Sequence, residues 1–139
     1  MSDAGVRIAG GCLCGALRYV ASREPALMGL CYCQDCRKAS GSGFVPFMGF
    51  AANALHFTGE TRQSRAPAFR GGEAVRNTCA VCGGLVFGGI VGVDVTHTIY
   101  AGSLDDPTQF RPSIAIFVRS RAPWALLPPN LKPFDTLPD

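Results

Sequence analysis

The sequence predicts an all-β fold of small antiparallel sheets stapled by metal. Short runs of aliphatic and aromatic residues recur along the 139 residues, each bounded by glycine, proline, asparagine or aspartate. The 17 glycines and 10 prolines favour many turns and few long helices. All seven cysteines fall in three tight clusters, an arrangement typical of metal ligands rather than of scattered core thiols. Short strands of this kind bury their apolar faces by packing as sheets.

The apolar runs place six strands along the chain. In order, they are ALRYV (16–20), FVPFMGF (44–50), ALHFT (54–58), LVFGGI (85–90), VTHTIYA (95–101) and IAIFV (114–118). The segment QDCRKAS (34–40) predicts one helical turn, and the Asp-Asp-Pro sequence within GSLDDPTQF (102–110) predicts a chain reversal.

The C-terminal stretch is too rich in proline for a regular element. We expect residues 125–139 to form a tail packed on the surface. Trp124, just before this tail, is expected to lie in the core with its indole N–H bonded to backbone. No linker divides the sequence, so residues 1–139 are expected to form a single domain.

Composition and charge argue against several classes of protein. No apolar run approaches the roughly 18 residues that span a bilayer, and the start MSDAGVRIAG lacks the apolar stretch of a secretory signal. We therefore expect a cytoplasmic protein without a membrane partner.

The formal charge of +3 counts the cysteines as neutral thiols. It falls to about zero if all seven are thiolates around two Zn²⁺ ions, and no Lys/Arg block is present, so we expect no nucleic-acid partner.

The cysteine spacing favours metal ligation over disulfides. The cysteines are Cys12, Cys14, Cys31, Cys33, Cys36, Cys79 and Cys82. Their number is odd, which would leave one thiol unpaired. Residues two apart in an extended chain lie about 6.6–7.2 Å apart, at or beyond the limit for a disulfide. Metal ligation in a reducing compartment is therefore the better interpretation.

Two cysteine pairs suffice for one closed zinc site. GCLCG (11–15) supplies Cys12 and Cys14, and CAVCGG (79–84) supplies Cys79 and Cys82. Four thiolates complete a tetrahedral zinc site, which typically has a structural role in a turn-rich domain.

The remaining three cysteines predict a second zinc site with an open position. One loop can place Cys31, Cys33 and Cys36 around an ion, and three protein ligands with an exchangeable fourth are typical of catalytic zinc. The alternative is closure by Asp35, His56 or His97. We favour the open site, because Asp35 lies between two ligands and a lone histidine is more often exposed or hydrogen-bonded. This second ion is the more labile candidate.

Several segments together resemble a known family. In order and spacing, they are GGCLCGALRYV, CYCQDCRKASGSGF, CAVCGGLVF, GSLDDPTQF and RSRAPW. The set resembles the glutathione-dependent formaldehyde-activating enzyme (GFA) family, which also includes centromere protein V, over about residues 8–124. Tyr32 and Ala115 depart from it, since members commonly have histidine at these positions.

The resemblance implies a β-tent fold and a carbon–sulfur lyase activity, formally S-(hydroxymethyl)glutathione synthase. It also implies the roles of the cysteines. Cys12, Cys14, Cys79 and Cys82 match the structural zinc ligands, and Cys31, Cys33 and Cys36 match the catalytic ones.

The expected substrates are a small-molecule thiol, glutathione or similar, and formaldehyde or a related small aldehyde. Arg37 and Lys38 follow the last ligand and are candidates for attracting an anionic substrate, or are solvated surface charges. Ser40, in the turn SGSGF, is a candidate hydrogen-bond donor to substrate or a turn cap. Two other functions remain open: a non-catalytic zinc-binding interaction module, and a thiol-based redox or metal-handling protein.

Overall fold

The computed structural model describes residues 5–138, which form two β-sheets and one short α-helix. The all-β prediction is confirmed. The strands are β1 (Ile8–Gly11), β2 (Arg18–Ala21), β3 (Leu27–Cys31), β4 (Val45–Ala51), β5 (Leu55–Thr58), β6 (Thr61–Pro67), β7 (Glu73–Cys79), β8 (Leu85–Gly88), β9 (Thr96–Tyr100), β10 (Ile114–Ile116) and β11 (Lys132–Pro133). The helix α1 spans Gln34–Ser40, and 3₁₀ turns span Ala52–Ala54, Ala101–Ser103, Pro107–Gln109 and Val118–Ser120.

The two sheets differ in size. The smaller one has the order β1-β2-β5 and is antiparallel throughout. The larger one has eight strands in the order β11-β10-β3-β4-β9-β8-β7-β6. It is larger than the sequence suggested and includes parallel pairs, because β10 pairs in parallel with both β3 and β11. These partners are distant in sequence, so no hairpin turn forces them to be antiparallel.

All six predicted strands are present with shifted ends, and the predicted helical turn is α1. The sequence patterns missed five strands: β1, β3, β6, β7 and β11. β6 has mostly exposed polar side chains because it lies at the edge of the large sheet. β7 buries Asn77 among its inward positions, where the amide nitrogen donates to the backbone oxygens of Phe87 and Gly89.

The main core lies between the two sheets. It joins Tyr19 of the small sheet to Met48, Phe50, Phe87 and Ile99 of the large one, all of them almost wholly buried. Packing against the small sheet therefore determines which face of β4, β8 and β9 is buried.

A second core cluster holds the C-terminal segment, residues 121–138, against the large sheet. The buried side chains in it are Leu30, Tyr32, Ala115, Ala122, Ala125 and Leu131. The Tyr32 hydroxyl donates to the backbone oxygen of Leu126, and β11 extends the large sheet beyond β10.

The prediction that Trp124 lies in the core is wrong, because its side chain is 69% exposed. The chain turns at this point so that the small residues Ala122 and Ala125 enter the core on either side. The indole ring instead lies over Gly43, where a Cβ atom would be 2.8 Å from it.

Within residues 5–138, the structure has no helix with the length and apolar character needed to cross a membrane.

Replacing Tyr32 with phenylalanine tests how the C-terminal segment is held. The variant keeps the buried ring but removes the donor to Leu126, so we expect the free energy of unfolding in urea to fall by about 1 kcal/mol. Trp124→Phe is the control, because its ring is exposed and the change should stay within about 0.5 kcal/mol. Greater destabilisation by Trp124→Phe than by Tyr32→Phe would contradict this account.

Alanine substitution at two glycines with similar φ angles distinguishes the cost of backbone strain from the cost of a close contact. Gly59 has φ +106° and a Cβ there would lie 2.1 Å from the backbone oxygen of Ala16, whereas Gly71 has φ +102° and open space around it. We expect Gly71→Ala to lower the free energy of unfolding by about 1 kcal/mol through strain alone. Gly59→Ala should cost about 3 kcal/mol, because backbone must also move. Equal losses in urea titrations would show that the Ala16 contact is unimportant.

Candidate metal centres

The first cysteine cluster has the geometry of a four-sulfur metal site. The Sγ atoms of Cys12, Cys14, Cys79 and Cys82 all lie within 4.8 Å of one another. The Cys12–Cys14 separation is 3.7 Å and the Cys14–Cys79 separation is 3.8 Å. A tetrahedral zinc ion with Zn–S bonds of about 2.3 Å holds its sulfurs about 3.8 Å apart. The spacing of the four sulfurs therefore suits a tetrahedral zinc ion.

Backbone amides point at the sulfurs of this cluster. Leu17 donates to Cys12 Sγ at 3.2 Å, and the amides of Val81 and Cys82 donate to Cys79 Sγ at 3.3 and 3.4 Å. Such donors favour the thiolate over the thiol. The same effect operates at a third sulfur, where the backbone N–H of Gly84 lowers the pKa of the Cys82 thiol.

The four-cysteine cluster also links the two sheets. Cys12 follows β1 of the small sheet, and Cys79 ends β7 of the large sheet. A metal ion at this position would hold the end of one sheet against the other.

The second cluster forms where β3 meets α1. The Sγ atoms of Cys31, Cys33 and Cys36 lie within 4.8 Å of one another. Cys33 is the N-cap residue of α1, and its Sγ accepts a hydrogen bond from the Cys36 N–H at 3.2 Å. Hydrogen bonds from the thiols of Cys31 and Cys36 lower the pKa of the Cys33 thiol, which favours its thiolate form. This donor set is also suited to zinc.

None of the proposed closing residues completes this second set. Among residues 5–138, Asp35, His56 and His97 offer no ligand atom within 4.8 Å of all three sulfurs. His56 is exposed on β5. His97 is buried elsewhere, with Nδ1 2.9 Å from the Gly88 oxygen and its ring against the edges of Phe57 and Phe87. Asp35 is exposed near the cluster.

A cavity of about 660 Å³ borders all three cysteines of the second cluster. Its other walls come from the β6–β7 hairpin, from β4, β9 and β10, from the turn after β10, and from the C-terminal segment. Three arginines line it: Arg70, Arg76 and Arg119. Tyr100 lines it as well, and burial raises the pKa of this phenol to about 12, so it is neutral at pH 7.

Arg76 contacts the cysteine cluster directly. One of its terminal nitrogens, Nη2, lies 3.7 Å from Cys36 Sγ. It projects from the face of β7 opposite to that of Val75, Asn77 and Cys79, which are buried on the other side. Sequence reasoning missed this arginine, because it is 40 residues from Cys36 and lies on an unpredicted strand.

The substrate contacts expected from sequence lie elsewhere. Arg37, Lys38 and Ser40 do not line the cavity beside the three cysteines. The Ser40 hydroxyl donates to the Cys36 backbone oxygen at 2.8 Å and accepts from the Ser42 N–H at 3.1 Å, which is turn-capping geometry. Ser40 also lines a separate cavity of about 530 Å³.

The two departures from the family pattern also lie outside the cavity. Tyr32 and Ala115 are both wholly buried and belong to the second core cluster, together with Leu131 of the C-terminal segment. Neither side chain lines the cavity. Both positions therefore support packing in this chain.

Comparison with known proteins identifies the family. The family model of the glutathione-dependent formaldehyde-activating enzyme matches residues 7–120, which include both cysteine clusters and the three cavity arginines. A search of curated proteins finds no match. The resemblance seen in the sequence is thus confirmed. Because the matched region covers most of the 139 residues, the chain belongs to the glutathione-dependent formaldehyde-activating enzyme family.

Proposed function

We propose that the protein is a zinc-dependent carbon–sulfur lyase that joins a thiol, glutathione or a similar one, to formaldehyde or a related small aldehyde, and splits the adduct in the reverse direction. Family membership supports a formaldehyde-activating, glutathione-related function. The observation that supports a zinc-dependent lyase is the difference between the two cysteine clusters. Four sulfurs form a complete ligand set, whereas three sulfurs border a cavity of about 660 Å³.

In this proposal the two metal sites have different roles. Cys12, Cys14, Cys79 and Cys82 hold a structural zinc ion, and Cys31, Cys33 and Cys36 hold the catalytic one. Cys31, Cys33 and Cys36 would leave one exchangeable position on a bound zinc ion, which would supply the Lewis acidity that favours the thiolate form of a substrate thiol at neutral pH.

The chemistry requires one new bond. The substrate sulfur attacks the aldehyde carbon, the S–C bond forms, and the carbonyl π electrons move to oxygen, which takes a proton from water. The product is a hemithioacetal, and the reverse sequence breaks the same bond. The proton lost by the thiol passes to solvent, so atoms and charge balance.

The protein contributes binding and orientation. Arg70, Arg76 and Arg119 give the cavity positive charge, which attracts the carboxylates of a thiol such as glutathione. Holding thiol and aldehyde together raises their effective concentration for a reaction that also proceeds slowly in water.

A cytoplasmic location suits this function. None of the seven cysteines, all within the described residues 5–138, forms a disulfide, and thiolate ligands persist in a reducing compartment. The β-tent fold implied by the family resemblance is also part of the proposal, supported by two sheets that a cysteine cluster links.

Substitution of Cys33 by serine tests the catalytic assignment. We expect turnover to fall by at least about 100-fold, measured by exchange NMR of formaldehyde and glutathione, because the ligand set is broken. The circular dichroism spectrum should remain that of a folded protein, whereas Cys79→Ser should lose it. If zinc-loaded wild type gives no rate enhancement, the lyase is wrong; if Cys33→Ser unfolds instead, an interaction module with two structural metals is favoured.

Metal content tests the difference between the clusters. We expect two zinc ions per chain by mass spectrometry, of which a mild chelator removes one first, because three ligands beside an open cavity hold zinc less firmly than four. Loss of the first ion should abolish turnover while the melting temperature changes little. Simultaneous loss of both ions, or unfolding with the first, would contradict separate roles.

A further inference from the structure

Three apolar side chains line the cavity beside the three cysteines. They are Phe69 from the β6–β7 hairpin, Phe117 from the loop after β10, and Leu137 from the C-terminal segment. We call this set the apolar wall. It brings together parts of the chain that are far apart in sequence, so no local motif indicates it.

Phe117 is held in an unfavourable backbone conformation. It has φ 55° and ψ 37°, and among residues 5–138 no other non-glycine residue has a positive φ. A bulky side chain is disfavoured in this left-handed region because its Cβ crowds the backbone. Backbone strain of this kind persists only where the surroundings enforce it, and such strain is concentrated at functional sites.

The C-terminal segment enforces this conformation through backbone hydrogen bonds. The N–H of Phe117 donates to the oxygen of Thr136 at 3.0 Å, and the N–H of Val118 donates to that of Phe134 at 3.0 Å. The same segment supplies Leu137 to the cavity. It therefore both positions one residue of the apolar wall and contributes another.

Phe69 is fixed from two sides. Its ring meets that of Phe117 edge to face, with centroids 5.1 Å apart, and the guanidinium of Arg119 lies 5.9 Å from its centroid. The Phe69 side chain nevertheless remains 56% exposed. An aromatic ring that is held in place but uncovered can accept an apolar ligand group.

The charge of the cavity complements an anion. Arg70, Arg76 and Arg119 line it, and Asp35 is its one acidic lining residue among the part of the chain described. A ligand that fits both features carries negative charge and an apolar group.

Residues 121–138 lie outside the matched family region, which ends at residue 120. The family match therefore covers neither Leu137, which lines the cavity, nor Thr136, whose backbone oxygen accepts from the Phe117 N–H.

We propose that the apolar wall is a specificity subsite for a glutathione-like anionic thiol adduct whose sulfur substituent is larger and more apolar than hydroxymethyl. This inference rests on the proposed function, and it points to an aldehyde with an apolar substituent as the partner of the thiol. The C-terminal segment completes the subsite by supplying Leu137 and by holding Phe117 across the cavity wall.

Unreactive thioethers test the subsite without turnover. The probes are S-methylglutathione and S-hexylglutathione, titrated calorimetrically into the zinc-loaded full chain. We expect the hexyl probe to bind at least about tenfold more tightly, because its methylene groups are buried against the wall. Equal affinities, or no binding of either probe, would overturn the proposal.

Substitutions in the apolar wall test whether it causes the preference for the hexyl probe over the methyl probe. Phe117→Gly removes the ring at a backbone conformation that glycine tolerates, and Leu137→Ala shortens the other side chain. Both should reduce the hexyl-to-methyl preference several-fold while circular dichroism remains unchanged. Leu126→Ala is the matched control, since its side chain is 85% exposed in the same segment and does not line the cavity. An unchanged preference in both folded wall variants contradicts the assignment.

Charge and turnover are separated by two further measurements. Arg70→Gln should weaken the binding of both probes by the same factor and leave the hexyl-to-methyl preference intact, because it removes charge but no apolar surface. Loss of the preference in this variant would contradict the apolar basis of selection.

Exchange NMR of aldehyde and thiol then reports the reaction itself. A preserved preference without turnover would remove the lyase and keep the subsite, whereas turnover without preference would remove the subsite alone.

Discussion

The four sulfurs of Cys12, Cys14, Cys79 and Cys82 impose the constraint on which the rest of the structure depends. They bring the end of β1 in the small sheet to the end of β7 in the large one. The apolar core between the sheets stabilises the same arrangement, but apolar packing is not directional. Ligand geometry is directional, and four backbone amides already point at three of the sulfurs. A metal ion held by these four sulfurs would therefore set the relative position of the sheets at one point.

The second cluster also consists of cysteine sulfurs, but it does not link distant segments. Its three sulfurs come from the end of β3 and the first turn of α1, a span of six residues, so it ties no distant parts of the chain together. Instead it lies at the wall of a cavity whose remaining walls come from elsewhere. Under the proposed function, a local ligand set beside a wall of remote origin would allow the metal chemistry and the choice of substrate to vary independently.

Sequence reasoning succeeded where ligands are neighbours in the chain. The division of the cysteines into four and three follows from pair spacing, and the structure brings together the same two groups. It failed where three-dimensional proximity decides. Arg76 reaches Cys36 from an unpredicted strand whose buried Asn77 hides the apolar alternation. Burial of Trp124 was wrong because the direction of the chain, not the size of the ring, decides which side chain enters the core.

The alternation of side chains along β7 has a consequence for how the protein can change. Cys79 faces the four-sulfur cluster and Arg76, three positions earlier, faces the cavity. Cys79 and Arg76 now point to opposite faces of β7. Insertion or deletion of one residue between them would put both side chains on the same face. The two centres thus share one strand register, and a change of one residue in the length of β7 between Arg76 and Cys79 would disturb the facing of one centre relative to the other. Variation among descendants of this chain should enter through the hairpin tip and the loops instead.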